Sequence, residues 1–299
     1  MKQIISRILI VIFLCLFFYI AFKEDVNEYI QNDSKPEEIS IDKENAALKI
    51  YFIDVGEADC TLIKVGDEYV LIDAGNNEDG LKLVDYFKEL GINNFKYVIT
   101  THLHEDHIGG IDYIIKSFQV EHYYMPDVTS DNLTFTEVID ALKEKNINWE
   151  VPEIDSKFNV GEAEFTVLSI GKDEEDINDT SIVLRMSYRD TSYLFMADAT
   201  KNVEFNILNK DLKSNVLKVG HHGASSSTSA QFLKKVNPQY AIISVGKLND
   251  YNHPHNITLK KLNRLNIKTY RTDLDGTIIL SSDGKNITFE TLKTNTNGN

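Results

Sequence analysis

The chain has 299 residues, of which 42% are hydrophobic and 26% charged, the balance of an ordinary globular protein. Its 46 acidic residues outnumber 31 basic ones, for a net charge of −15, a poor electrostatic footprint for tight nucleic-acid binding, which normally shows as a basic patch. Its two cysteines are Cys15, inside an apolar run, and Cys60, alone in the remainder of the chain, so no disulfide framework supports the fold.

Residues 1–22 form the first unit. Ile8 to Phe22 is unbroken apolar sequence, preceded by Lys2 and Arg7 and ended by Lys23-Glu24-Asp25. With Ile4 and Ile5 it approaches the roughly 20 residues that span a bilayer. Tyr19-Ile20-Ala21-Phe22 lacks the small-residue pattern of a cleavage site, so an uncleaved anchor is expected in preference to a secretory signal. The positive amino-terminal flank predicts a single-pass protein of the cell membrane, the rest of the chain lying outside the cytoplasm. Residues 23–46 are polar, contain Pro36 and read as a flexible linker.

A single domain is expected over residues 47–293, with a polar tail at 294–299. Lys49–Val55 reads as a strand, and Cys60–Val65 and Tyr69–Ala74 as a hairpin about Gly66-Asp67-Glu68. Leu81, Val84, Phe87 and Leu90 have helical spacing and end at Gly91. Tyr97–Thr100 is a buried strand, followed by a loop and a helix through Ile111, Ile114, Ile115 and Phe118. Val120–Met125 is another strand and Phe135–Leu142 another helix. The second half repeats this rhythm, with strands at 165–170, 181–187, 192–197, 215–219, 240–245, 268–271, 277–281 and 286–292. Helices are expected at 203–208, around Phe232 and Val236, and at 257–265. Mixed strands and helices in both halves predict an α/β (α+β) fold of two sheets, each faced by helices.

The loop after Thr100 carries the chemistry. Thr101-His102-Leu103-His104-Glu105-Asp106-His107 gathers three imidazoles and carboxylates at the carboxyl end of a strand, a donor set suited to zinc, manganese or iron. Asp73, Asp198 and His221-His222-Gly223 close three other predicted strands. Each alone is an ordinary cap or turn residue. In this order they resemble the metallo-β-lactamase superfamily, and Asn178-Asp179-Thr180-Ser181, Leu217-Lys218-Val219-Gly220-His221-His222-Gly223 and Asn252-His253-Pro254-His255 resemble the hydrolase domain of ComEC-type competence proteins and its stand-alone relatives. The resemblance implies a four-layer αββα sandwich holding two divalent cations, Zn²⁺ or Mn²⁺. His102 and His104 would hold the first, and Asp106, His107 and His221 the second, with Asp198 bridging. His221 is preferred over His222 as nearer the strand end.

The sequence departs from the superfamily in having no histidine between His122 and His221, where many members complete the first site; Asn178-Asp179 lies there instead. A weaker first site is expected. Ala197 stands where relatives carry Gly. Asp73 is expected to orient a liganding imidazole, and Asp106, His222 and His253 to serve the chemistry, although His253 also fits a structural loop histidine. His122 is expected in strand packing and His255 at the surface. The hydroxyls of Ser225–Thr228 fit either an anion site or a helix cap.

The expected activity is metal-dependent hydrolysis of a phosphodiester, nuclease-like, by a water activated between the cations. The substrate would be a small-molecule or cell-envelope phosphoester, with DNA as the other partner class. Acyl hydrolysis of a lactone, thioester or lactam, and non-catalytic metal binding, stay open as alternatives.

Overall fold

A computed structural model describes residues 46–172 and 175–293. The expected anchor, nearly all of the linker and the polar tail lie outside the described residues. Among the described residues no helix is long and apolar enough to cross a membrane.

The strands of the first half are β1 (Leu48–Phe52), β2 (Thr61–Val65), β3 (Glu68–Ile72), β4 (Asn94–Ile99), β5 (Gln119–Tyr124) and β6 (Trp149–Glu150). The second half supplies β7 (Lys157–Val160), β8 (Ala163–Ser169), β9 (Val183–Tyr188), β10 (Thr191–Phe195), β11 (Val216–Lys218), β12 (Tyr240–Ile243), β13 (Lys268–Arg271), β14 (Thr277–Ser282) and β15 (Ile287–Leu292). One sheet has the order β15-β14-β1-β2-β3-β4-β5-β6, the other β13-β12-β11-β10-β9-β8-β7.

Each sheet changes character along its width. β1, β2 and β3 pair antiparallel, whereas β3, β4, β5 and β6 are parallel. In the other sheet β7 to β10 are antiparallel and β10 to β13 parallel. Parallel neighbours need crossovers, which here are mostly helices. These are α1 (Gly80–Glu89), α2 (Glu105–Ile108), α3 (Ile111–Ser117) and α4 (Leu133–Lys145) on the first sheet. The second sheet has α5 (Lys201–Asn206), α6 (Ala230–Val236) and α7 (Asn256–Arg264), and α8 (Thr272–Asp275) leads back to β14.

Alternation along the strands sends side chains to two different cores. Ile50, Ile63, Val70 and Ile99 meet Phe165, Met186, Tyr193 and Phe195 between the sheets. Leu62, Leu71 and Val98 point the other way, onto Phe87, Ile111, Ile114 and Val138 of the helices. Leu194, Leu217 and Ala241 do the same on the second sheet, against Val203, Phe232, Leu233 and Leu262. Three apolar layers between four layers of elements give the αββα sandwich. At about 1.5–3 kcal/mol for each fully buried large aliphatic or aromatic side chain, these layers are the principal favourable term in folding.

β6 and β7 escape the sequence reading. Two residues carry no periodicity, and the Lys-Phe-Asn-Val of β7 alternates over only two cycles, with its polar residues exposed.

Candidate metal centre

The carboxyl ends of β3, β4, β10, β11 and β12 open on one cleft, lined in part by His104, Asp106, Asn178, Asp198, His221, His222, Tyr251 and His253, with a volume of about 650 Å³. The histidine loop is held against the end of β3. Asp73 Oδ1 accepts from the Thr101 amide at 2.8 Å, and its Oδ2 accepts from the Thr101 hydroxyl at 2.7 Å. Asp73 Oδ2 also lies 2.8 Å from His107 Nδ1. A carboxylate only accepts, so Nδ1 carries the proton and Nε2 faces Asp106 and Asp198. The expected orienting role of Asp73 has this geometry behind it. Replacing it with Asn should weaken metal binding about 10–100-fold while retaining the hydrogen bond from the Thr101 amide, as a chelator-competition titration would measure.

Gly109 and Gly110 let the loop close. A Cβ on Gly109 would stand 2.2 Å from the Asn76 carbonyl carbon, and one on Gly110 2.4 Å from the Ala74 oxygen. The contact is fixed by Ala74 N–H donating to His107 O and Gly109 N–H to Gly75 O.

Two donor groups result, with Asp198 common to both: Asp106, His107, Asp198 and His222, and His102, His104 and Asp198, the ligand atoms within each lying within 4.8 Å of one another. In the first, His222 Nε2 is 3.1 Å from Asp106 Oδ2 and 3.7 Å from Asp198 Oδ2, and His107 Nε2 is 3.4 Å from Asp198 Oδ1. In the second, His102 Nε2 is 3.1 Å from His104 Nδ1 and 4.0 Å from Asp198 Oδ2. His221, preferred on sequence, reaches Asp198 Oδ2 at 3.7 Å but stands outside both groups. Its ring hydrogen-bonds with Ser226 Oγ at 3.2 Å. His222 Nδ1 lies 3.0 Å from the Ser244 carbonyl oxygen, which leaves Nε2 for the centre. The turn at Gly220-His221-His222 brings His222 into one donor group with Asp106, His107 and Asp198, while His221 approaches Asp198 from outside it.

Asp73, Ala197, His221 and His222 all have positive φ, between 46° and 59°. Left-handed backbone in non-glycine residues is costly and concentrates where a site demands it.

The donors are deeply buried and polarise one another. Burial pushes His102 well below the ordinary imidazole range, and His107 adds to it. Burial opposes charge on His107 too, but Asp198, Asp106 and Asp73 outweigh it and hold that ring well above the range. Burial would likewise depress His222, yet Asp198, Asp106 and Asp59 push it up to about 9. Asp106 and Asp198, which burial alone would raise, are held below the usual carboxylate range by the imidazoles. The four groups thus form two acids balanced by two protons, the charge that one divalent cation would supply. His107 Nε2 and Asp198 Oδ1 are buried with no hydrogen-bond partner among the described residues, which is expensive for neutral protein and natural for cation ligands. The residues present fit the metal.

A family model described as the metallo-beta-lactamase superfamily matches residues 53–247. The chain belongs to that superfamily. Among curated relatives of this superfamily member, ComE operon protein 3 of Bacillus subtilis (strain 168) is 33% identical over 199 residues, covering 66% of the chain and 26% of the relative. Competence protein ComA of Neisseria gonorrhoeae is 26% identical over 245 residues, covering 80% and 33%. The chain thus spans about a quarter to a third of these competence proteins. The metallo-β-lactamase fold protein YhfI of Bacillus subtilis superposes with a TM-score of 0.51 at 13% identity, over 75% of this chain and 95% of that one, a likeness of fold. Superfamily membership and the His/Asp cluster together make this a metal-dependent hydrolase fold with a candidate metal site.

Other residues fall in place around it. His253 lines the cleft, its Nδ1 2.9 Å from Glu57 Oε1 and its ring stacked on Tyr251. His122 stacks on Tyr97 within the sheet, as expected. His255 Nδ1 accepts from the Ser225 amide, a local turn contact. At Ser225–Thr228, the helix-start amides go to a protein carboxylate and the helix cap is the next residue, Ser229. The Thr228 and Ser229 amides both donate to the buried carboxylate of Glu204, and Ser229 caps α6 by accepting from Phe232 N–H.

Asp59, Lys218 and Glu57 do not stand out in the sequence as site residues. Lys218 leaves a trace there, a lysine breaking the apolar run Val216-Leu217-Lys218-Val219. Asp59 and Glu57 sit in a loop with no motif.

Proposed function

We propose that the cleft hydrolyses a small phosphodiester with two divalent cations, Zn²⁺ or Mn²⁺, as resident cofactors. The carrying observation is the pair of donor groups that share Asp198 at the floor of an open cleft. In this reading Asp106, His107, Asp198 and His222 hold one cation, and His102, His104 and Asp198 the other. Bound there, the pair would supply an activated water and positive charge against the oxygen that gains charge in the transition state.

The chain's own residues do the rest. Asp73 holds His107 in the tautomer that faces the centre. Glu57 accepts from His253 Nδ1–H, which fixes the tautomer and leaves the Nε2 lone pair free to accept a proton or a hydrogen bond from a bound water or substrate hydroxyl. Asn178 is 8% exposed and lines the cleft, its Oδ1 without a hydrogen-bond partner among the described residues, so a substrate hydroxyl or bound water fits there.

Similarity to competence proteins favours a phosphodiester. The described residues lining the cleft include Glu57, Glu105 and Asp250 but no Lys or Arg, which favours a small or cell-envelope phosphoester over long DNA. We place the enzyme at the membrane through residues 1–22, with the domain outside the cytoplasm; protease accessibility in intact cells is the check.

Purified protein loaded with Mn²⁺ or Zn²⁺ should turn over bis-p-nitrophenyl phosphate and stop on chelation. Fully loaded protein that leaves this substrate untouched but opens nitrocefin or a thioester would replace phosphodiester by acyl hydrolysis.

A further inference from the structure

A buried ion pair lies beneath the centre. Lys218, on β11, is 2% exposed. A lysine is almost never that buried without a partner. Its Nζ donates to Asp59 Oδ2 at 2.8 Å and, more weakly, to the Val219 carbonyl at 3.4 Å. Asp59 belongs to the loop between β1 and β2, so the pair joins the two sheets at their catalytic ends.

Asp59 touches the support of two proposed ligands at once. Its amide donates to the Asp106 carbonyl at 3.0 Å, and its own carbonyl accepts from Gly75 N–H at 2.9 Å, beside Asp73. Its second carboxylate oxygen, Oδ1, has no hydrogen-bond partner among the described residues and stands 3.6 Å from His222 Nδ1. His222 Nδ1 already faces the Ser244 carbonyl, so its proton lies between two acceptors and Nε2 stays directed at Asp106. Asp59, Asp73 and His107 also bring their donor atoms within 4.8 Å of one another, a third acidic group in which the Lys218 ammonium is the cation already present.

We infer that Lys218 and Asp59 are positioning residues for the cation site formed by Asp106, His107, Asp198 and His222: the Asp59 carboxylate, held in place by the buried ammonium, faces His222, and the Asp59 backbone amide so anchored holds the Asp106 carbonyl. The inference rests on reading that cluster as a metal site.

Removing one partner alone would strand a buried charge and unfold much of the protein, whereas replacing both with neutral side chains of similar size is tolerated. The full-length Asp59→Asn/Lys218→Met double variant is therefore compared with wild type by titrating Zn²⁺ against a chromophoric chelator, alongside a thermal melt. Two binding phases are expected in wild type. The double variant should lose about 10–100-fold in the tighter phase and leave the weaker phase unchanged. A double variant that melts like wild type and binds both ions as tightly would overturn the inference and leave the pair a clasp between sheets. Equal loss in both phases would also overturn it. If the double variant does not fold, Lys218→Arg keeps the charge but shifts the carboxylate, and unchanged affinity there would sink the idea. Wild-type protein that binds no metal would instead refute the metal reading itself.

Discussion

Asp198→Asn should cost on the order of 10⁴-fold in kcat while the protein stays folded, because groups that act as one catalytic unit lose nearly everything when one is removed. Among the described residues Asp198 alone is common to both donor groups, and its carboxylate reaches His102, His107, His221 and His222 within 4.0 Å. The amide keeps the shape but surrenders the charge and replaces one acceptor with a donor, which faces imidazole nitrogens and cations alike. Metal content measured on the same sample separates the two effects. A variant that keeps both ions and more than a tenth of wild-type turnover would show that Asp198 is not the shared ligand.

Chelation should lower the melting temperature by roughly 10 °C, the order expected when a ligand at a thousand times its dissociation constant is withdrawn from a domain of this size. The loss should grow with pH. In the chelated protein His222 is pushed up to about 9 by Asp198, Asp106 and Asp59 against the opposing effect of burial. A group raised in the folded state contributes stability that is fully present below its unfolded pKa, near 6.5, and disappears as pH rises through the folded value. Between those limits the chelated protein sheds the proton that balances its carboxylates, while the loaded protein holds cations instead. Melts at pH 6.5 and pH 9, with and without chelator, should show the gap widening. A gap that narrows over that interval would contradict this charge pattern.

Sequence alone carries the site a long way and stops where the backbone turns back on itself. The histidine loop was legible because its residues are contiguous and follow a β-branched strand, and Asp73 and Asp198 because each ends an apolar run. Which histidine of the 221–222 pair faces the other donors was not legible. Both residues have left-handed φ, and proximity to the strand end points to His221 although it is His222 that joins Asp106, His107 and Asp198 in one donor group. Asp59 and Glu57 were hidden for another reason. Their partners, Lys218 and His253, lie 159 and 196 residues away, and no local spacing encodes such a contact. The longer helices around the sheets were legible from their apolar periodicity, whereas α2 and α8, four residues each, and β6 and β7, short edge strands with exposed residues, gave the pattern too few positions to register.

The scarcity of positive side chains around the cleft has a consequence for when such an enzyme would work. An anionic ester approaching Glu57, Glu105, Asp106, Asp198 and Asp250 meets like charge unless divalent ions have reversed the sign of the floor. Substrate capture and bond cleavage would then switch on together as the surrounding medium supplies those ions. In a compartment starved of such ions, an acidic cleft of this kind would repel an anionic substrate of the class proposed above.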